Sequence, residues 1–164
     1  MNLHTRGTLA ASAALLAGSA LAAAPAAAAP ATSPSNTAVV AGATCRTTSI
    51  HQIGTKQVVW DKGMAAFTVR QYLGYCQDSR GWAWMNFASV YVWHQYHVRG
   101  FGYRAQVGIA VKGEQETRGY VIGPNRQRLT FSKPVRTVNV CTRGWGKLYR
   151  LGAESAQGMT SLRC

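Results

Sequence analysis

The chain has 164 residues, with 18 Lys plus Arg against 5 Asp plus Glu and a formal net charge of +13. That length holds one globular domain rather than a multidomain enzyme, and an apolar content of 47% with 16 aromatic residues excludes a disordered polybasic tail. Thirteen alanines and none of the aromatics fall in the first 30 residues, which take only Arg6 with them and leave 17 basic against 5 acidic residues.

Residues 1–29 read as a signal peptide. Arg6 and the amino terminus make a positive start, Leu9 to Leu21 an apolar stretch, and Ala26, Ala27 and Ala28 a small-residue cleavage region. The leucine-rich part is shorter than the roughly 20 residues that span a bilayer, so export rather than anchoring is the expectation, with no integral membrane association. Residues 30–43 carry no charge and are rich in Ala, Thr, Ser and Pro, which suggests a flexible lead-in. Residues 44–164 show no composition break and are expected to form a single secreted, extracellular β domain.

Ala66 to Tyr75 alternates Phe67, Val69 and Leu73 with Thr68, Arg70 and Tyr72, which predicts a strand. Trp82 to Trp93 is apolar on both faces, as in a central strand covered on both sides, with Trp82 and Trp84 expected in the core. Phe101 to Val111 has the clearest period of two, with Arg104, Gln106 and Gly108 on its polar side. Val135 to Cys141 is a further candidate strand, and Gly152 to Met159 is the best chance of a helix. Turn signals stand at Asp78–Gly81, Lys112–Glu114, Gly123–Asn125 and Arg143–Gly146. The fold class is therefore all-β, a small antiparallel β-sandwich or barrel.

Four cysteines, Cys45, Cys76, Cys141 and Cys164, point to disulfides in an oxidising compartment rather than to a metal or a nucleophile. Three pairings are possible. Cys45–Cys76 with Cys141–Cys164 is favoured because sequence-local pairs form most readily.

Catalysis is poorly provided for. Glu114 and Glu116 fall at a hairpin tip, without the burial that raises a carboxyl pKa. His94 and His97 lack a third ligand for zinc, there is no Gly-x-Ser-x-Gly elbow, and no catalytic, metal or cofactor site is assigned. A basic nuclease would need His94 or His97 to work with Glu116 near Arg99 and Arg104.

Charge is the firmest functional signal, with ten basic and three acidic residues between Lys112 and Arg163. Arg126, Arg128, Arg136, Arg143, Lys147 and Arg150, interleaved with Trp145 and Tyr149, form the candidate patch for an anionic partner such as a wall polymer or glycan. Most of the aromatics must fill the core, and Trp145, between Gly144 and Gly146, is the best candidate for an exposed one. A second reading is a secreted inhibitor of another enzyme presenting the 123–128 loop. A third is the small basic nuclease or another hydrolase.

The run Tyr75-Cys76-Gln77-Asp78-Ser79-Arg80-Gly81-Trp82-Ala83-Trp84, together with Val138-Asn139-Val140-Cys141 and the Ala-rich leader, resembles small secreted two-disulfide β proteins of actinobacteria. That resemblance implies an extracellular location and a β architecture, and no reaction.

Overall fold

The structure is a computed structural model that describes residues 36–150 and 152–164. The signal peptide assigned to residues 1–29 lies outside the described residues. In chain order the elements are β1 (Thr37–Val40), β2 (Ala43–Arg46), a 3-10 turn (Thr47–Ser49), β3 (His51–Asp61), β4 (Met64–Asp78) and β5 (Gly81–Val92). They continue with a single-turn helix α1 (His94–His97), β6 (Arg104–Val111), β7 (Thr117–Asn125), β8 (Leu129–Phe131), β9 (Thr142–Tyr149) and β10 (Ala156–Met159). No helix among the described residues is long and apolar enough to cross a membrane.

The strands form two antiparallel sheets, ordered β1-β2-β4-β5-β8, with β3 also on β4, and β10-β9-β6-β7. The chain is thus an all-β sandwich. β4 is long enough to serve two partners along one edge: β3 pairs with its first part (Val59 opposite Phe67) and β2 with its last (Cys45 opposite Cys76). The pairs Phe67–Val92 and Val69–Val90 aim into the space between the sheets, where they meet Ala105, Val107 and Ile109 of β6 and Leu148 of β9. Full burial of a side chain of this kind contributes about 1.5–3 kcal/mol.

The opposite face of β4 and β5 is also covered. Tyr72 stacks on Phe87 at 5.2 Å between ring centroids, and Val40, Cys45, Cys76 and Met85 complete a second cluster. Met85 to Val90 is buried at every position, so β5 is the doubly covered central strand that its composition predicts. Ser161 and Thr55 exchange two hydrogen bonds at one side of the sandwich, and Lys133 N donates to Gly119 O (2.9 Å) at the other. Both disulfides form as the local pairing predicts, Cys45–Cys76 across β2 and β4 and Cys141–Cys164 at the end of the chain, and no cysteine is free.

Several local expectations give way to pairing. Thr37–Val40, inside the supposed flexible lead-in, is a strand, because Ala41 (φ 45°) and Gly42 (φ 86°) make a tight two-residue hairpin turn onto β2. Residues 135–141 contain no strand. Val135 makes one isolated bridge to Asn86, and the chain then turns through Val140 N to Thr137 O (3.4 Å). Gly152 to Met159 yields β10 rather than a helix, since Ala156 to Met159 finds a complete ladder on Leu148 to Trp145.

Arg143–Gly146 is the middle of β9 and not a turn. A Cβ at Gly146 would lie 2.5 Å from a Val90 methyl and 2.8 Å from a Val69 methyl, and one at Gly144 would lie 3.2 Å from Gln71. These glycines let the second sheet settle onto β4 and β5. The amide of Gly144 donates to both Gln71 Oε1 (3.1 Å) and Thr160 Oγ1 (2.9 Å), and Gln71 Nε2 donates to Thr142 Oγ1 (2.8 Å). The polar Gln71 is thereby satisfied although wholly buried.

Candidate functional site

Inward glycines fix what β9 shows to solvent. Thr142, Gly144, Gly146, Leu148 and Arg150 are buried, so the period of two sends Arg143, Trp145, Lys147 and Tyr149 to the outer face. Register extends this stripe sideways. On β6, Arg104 stands opposite Tyr149, Gln106 opposite Lys147, and Gly108 opposite Trp145. On β10, Gln157 pairs with Lys147 and Met159 with Trp145.

A bulge between the pairs Val107–Val121 and Ile109–Arg118 sets Tyr120 opposite Gly108. Gly108 carries no side chain, and none would fit, since its Cβ would approach Thr117 Cβ at 2.9 Å. The rings of Tyr120 and Trp145, from strands on either side of β6, therefore come within 6.2 Å of each other across that gap. Tyr120, Ile122, Tyr149 and Met159 are each a little over 40% exposed, and Trp145 is half-buried. The result is an aromatic and aliphatic platform.

Arg104, Arg143 and Lys147 surround it, and none of them is ion-paired to a carboxylate among the described residues. Arg104 Nε donates to Gly123 O at 3.2 Å, which aligns it along the sheet. Asp61 and Asp78 are paired with arginines elsewhere, while Glu114, bonded to Arg118, lines a recess with Arg143 and Met159 at one end of this face.

The eight residues predicted for the basic patch do not share one face. Arg143, Trp145, Lys147 and Tyr149 do. Arg126 lies just beyond, following Asn125, which lines a recess with Arg104 and Tyr149. Its guanidinium donates to His97 O (3.0 Å) and its amide to Tyr103 O (2.8 Å). Arg128 sits against Tyr91, whose side chain points away from the second sheet; it donates to the Tyr91 hydroxyl and to Val92 O.

Arg136 is spent on Asp78, through Nε to Oδ2 (2.9 Å) and Nη2 to Oδ1 (2.8 Å), and holds that carboxyl down at about 2. Arg150 is buried with Asp61 at 3.3 Å, and the Tyr96 hydroxyl donates to the same carboxylate. Burial first, and then Asp61, push the Tyr96 phenol up. Buried and paired arginines are structural parts. They cannot face a polymer without leaving an acid unpartnered.

Arg104, Tyr120, Ile122 and Met159 are members of the face that the sequence did not assign to the patch. The polar side of Phe101–Val111 already signalled Arg104. Nothing local signalled Tyr120, which depends on a bulge. Trp82 and Trp84 are not core residues: Trp84 is 43% exposed, and Trp82 stacks on Tyr75 (5.6 Å) beneath the Arg46 guanidinium. They sit near the β4–β5 turn, beyond the cover of the second sheet.

The nuclease reading finds no assembled pair. His97 Nδ1 is 2.8 Å from the Tyr103 hydroxyl, and burial, then Arg126 and Arg128, hold its pKa below the ordinary value. Glu116 borders the other end of the β6–β7 hairpin, about 20 Å away at ~3.3 Å per residue along the strand. In comparisons with protein-family models, curated proteins and solved structures, nothing matches this chain.

Proposed function

We propose that this is a secreted, non-enzymatic β domain that binds an extended anionic polymer outside the cell, a wall polymer or acidic glycan, along the outer face of its second sheet. The observation that carries the reading is the segregation within β9. One strand delivers Arg143, Trp145, Lys147 and Tyr149 to a single side, with Arg104 and Tyr120 beside them, and the carboxylate nearest Arg143, Glu114, is already paired with Arg118. Two disulfides suit an oxidising compartment.

The mechanism is complementarity. Cations attract the polymer and release its counterions, while Trp145 and Tyr149 offer flat apolar surfaces for sugar rings. The 17 basic and 5 acidic residues that follow the leader, a net +12, bring polyanions to the molecule from any direction; the stripe provides contacts at one place.

Retention on immobilised heparin and on purified wall polymer, under a rising salt gradient, tests this. The protein elutes late, the double variant Arg143→Glu, Lys147→Glu elutes early, and Arg128→Glu, on a different face, shifts elution much less. Elution of the unaltered protein with a neutral control, or equal shifts for both variants, overturns the proposal.

A further inference from the structure

A second feature shares no residue with the outer face of the second sheet. Beside β4 and β5, where the 135–141 segment turns, lies a surface pocket of about 230 Å³. Its walls are mainly apolar, from Ile53, Leu73, Val138 and Val140, with Thr142, Cys164 and the cationic Arg163 completing them. Asn86 also lines it and is only 4% exposed.

The backbone of Asn86 is fully engaged by Val135, N to O and O to N at 2.9 Å each. Its Nδ2 donates to Thr137 Oγ1 (3.1 Å), whose hydroxyl is directed at Val135 O. That arrangement orients the amide and leaves Oδ1 a buried acceptor without a partner. Such a group costs about 1–3 kcal/mol, a penalty that any bound donor would remove. The site therefore asks for one hydrogen-bond donor on an otherwise apolar body.

Volume sets the size of that body. Pockets for drug-sized ligands run from roughly 300 Å³ upward, and this one is smaller. A cavity of about 150 Å³ already holds benzene, so a single ring with one small substituent fits. We propose that this pocket binds a small apolar molecule bearing one hydroxyl or N–H group, of the size of a phenol, with the donor directed at Asn86 Oδ1.

The test is titration of the full chain with phenol and with anisole, the same ring without a donor, followed by amide chemical shifts in NMR spectra. Phenol moves the resonances of Asn86, Val138 and Val140 at millimolar concentration and binds roughly tenfold more tightly than anisole, as expected when a buried acceptor regains its donor. Val140 is 43% exposed, so Val140→Trp closes the mouth without intruding on the core, and a dispersed spectrum verifies its fold; in it the phenol shifts disappear. The proposal is overturned if phenol moves none of these resonances, which would assign Oδ1 to a bound water. It is equally overturned by equal affinity for phenol and anisole, or by unchanged phenol shifts in Val140→Trp.

Discussion

Trp145 gains its role from its two neighbours. Gly144 and Gly146 turn inward and vanish between the sheets, so the indole is presented outward with Arg143 and Lys147 on either side. Aromatic stacking contributes roughly 1–3 kcal/mol per ring in single-strand recognition, and sugar stacking uses the same surface. Trp145→Ala is therefore expected to weaken polymer binding about tenfold while leaving the salt slope nearly unchanged, whereas Lys147→Gln reduces the slope. Affinity measured at several salt concentrations separates the two.

Arg150, five residues away, shows the opposite fate of a basic residue. It pairs with Asp61 under Tyr96, and Asp61→Ala leaves a buried guanidinium unopposed. A loss of about 3 kcal/mol in urea unfolding is expected, with polymer binding retained in the folded fraction. Asp78 belongs to the same class. Its carboxyl titrates at about 2 in the fold against an ordinary 3.8, so folding favours the charged form. The stabilisation is complete above about pH 4 and is lost as pH falls through about 2. Urea midpoints measured across that range should fall for the native protein and stay flatter for Asp78→Asn.

Strands set the next scale, and β9 is the informative one. Its sequence, Arg-Gly-Trp-Gly-Lys, has the composition of a turn, and glycine pairs usually mark one. Only the facing residues of β4 and β5 reveal why the glycines sit in a strand: Val69 and Val90 occupy the space that a side chain at 146 would need, and Gln71 and Ala88 crowd the one at 144. Gly146→Val is accordingly expected to force the sheets apart, with a cost of about 1–3 kcal/mol or more and a lowered melting temperature.

The same reason explains what local reading found and missed. Phe67, Val69 and Val107 alternate with Thr68, Arg70 and Gln106 because they point into the space between the sheets, so β4 and β6 were legible. β10 and β7 were not. β10 has only four residues and draws its stability from the ladder on β9, while β7 is bent by bulges. Val138 and Val140 have strand propensity but no neighbour with which to pair.

For the whole molecule, the bridges restrict the unfolded chain more than they shape the folded one. Cys141–Cys164 closes a loop of 23 residues, and removing it by Cys141→Ser with Cys164→Ser should cost about 3 kcal/mol, read as a lower urea midpoint. Because Arg163 and Thr142 also exchange backbone hydrogen bonds, the fold is expected to survive that loss at low temperature.

Composition and cysteine spacing, by themselves, determined the all-β class and the two local disulfides. Both follow from short-range physics: side-chain period, turn chemistry and the ease of closing a short loop. Which basic residues are free was decided only by tertiary structure. Arg136 and Arg150 look no different in sequence from Arg143 and Lys147, and the distinction depends on acids 58 and 89 residues distant in the chain. Charge is a property of composition. A binding face is a property of which side of a strand is turned to water and which charges have already found a partner.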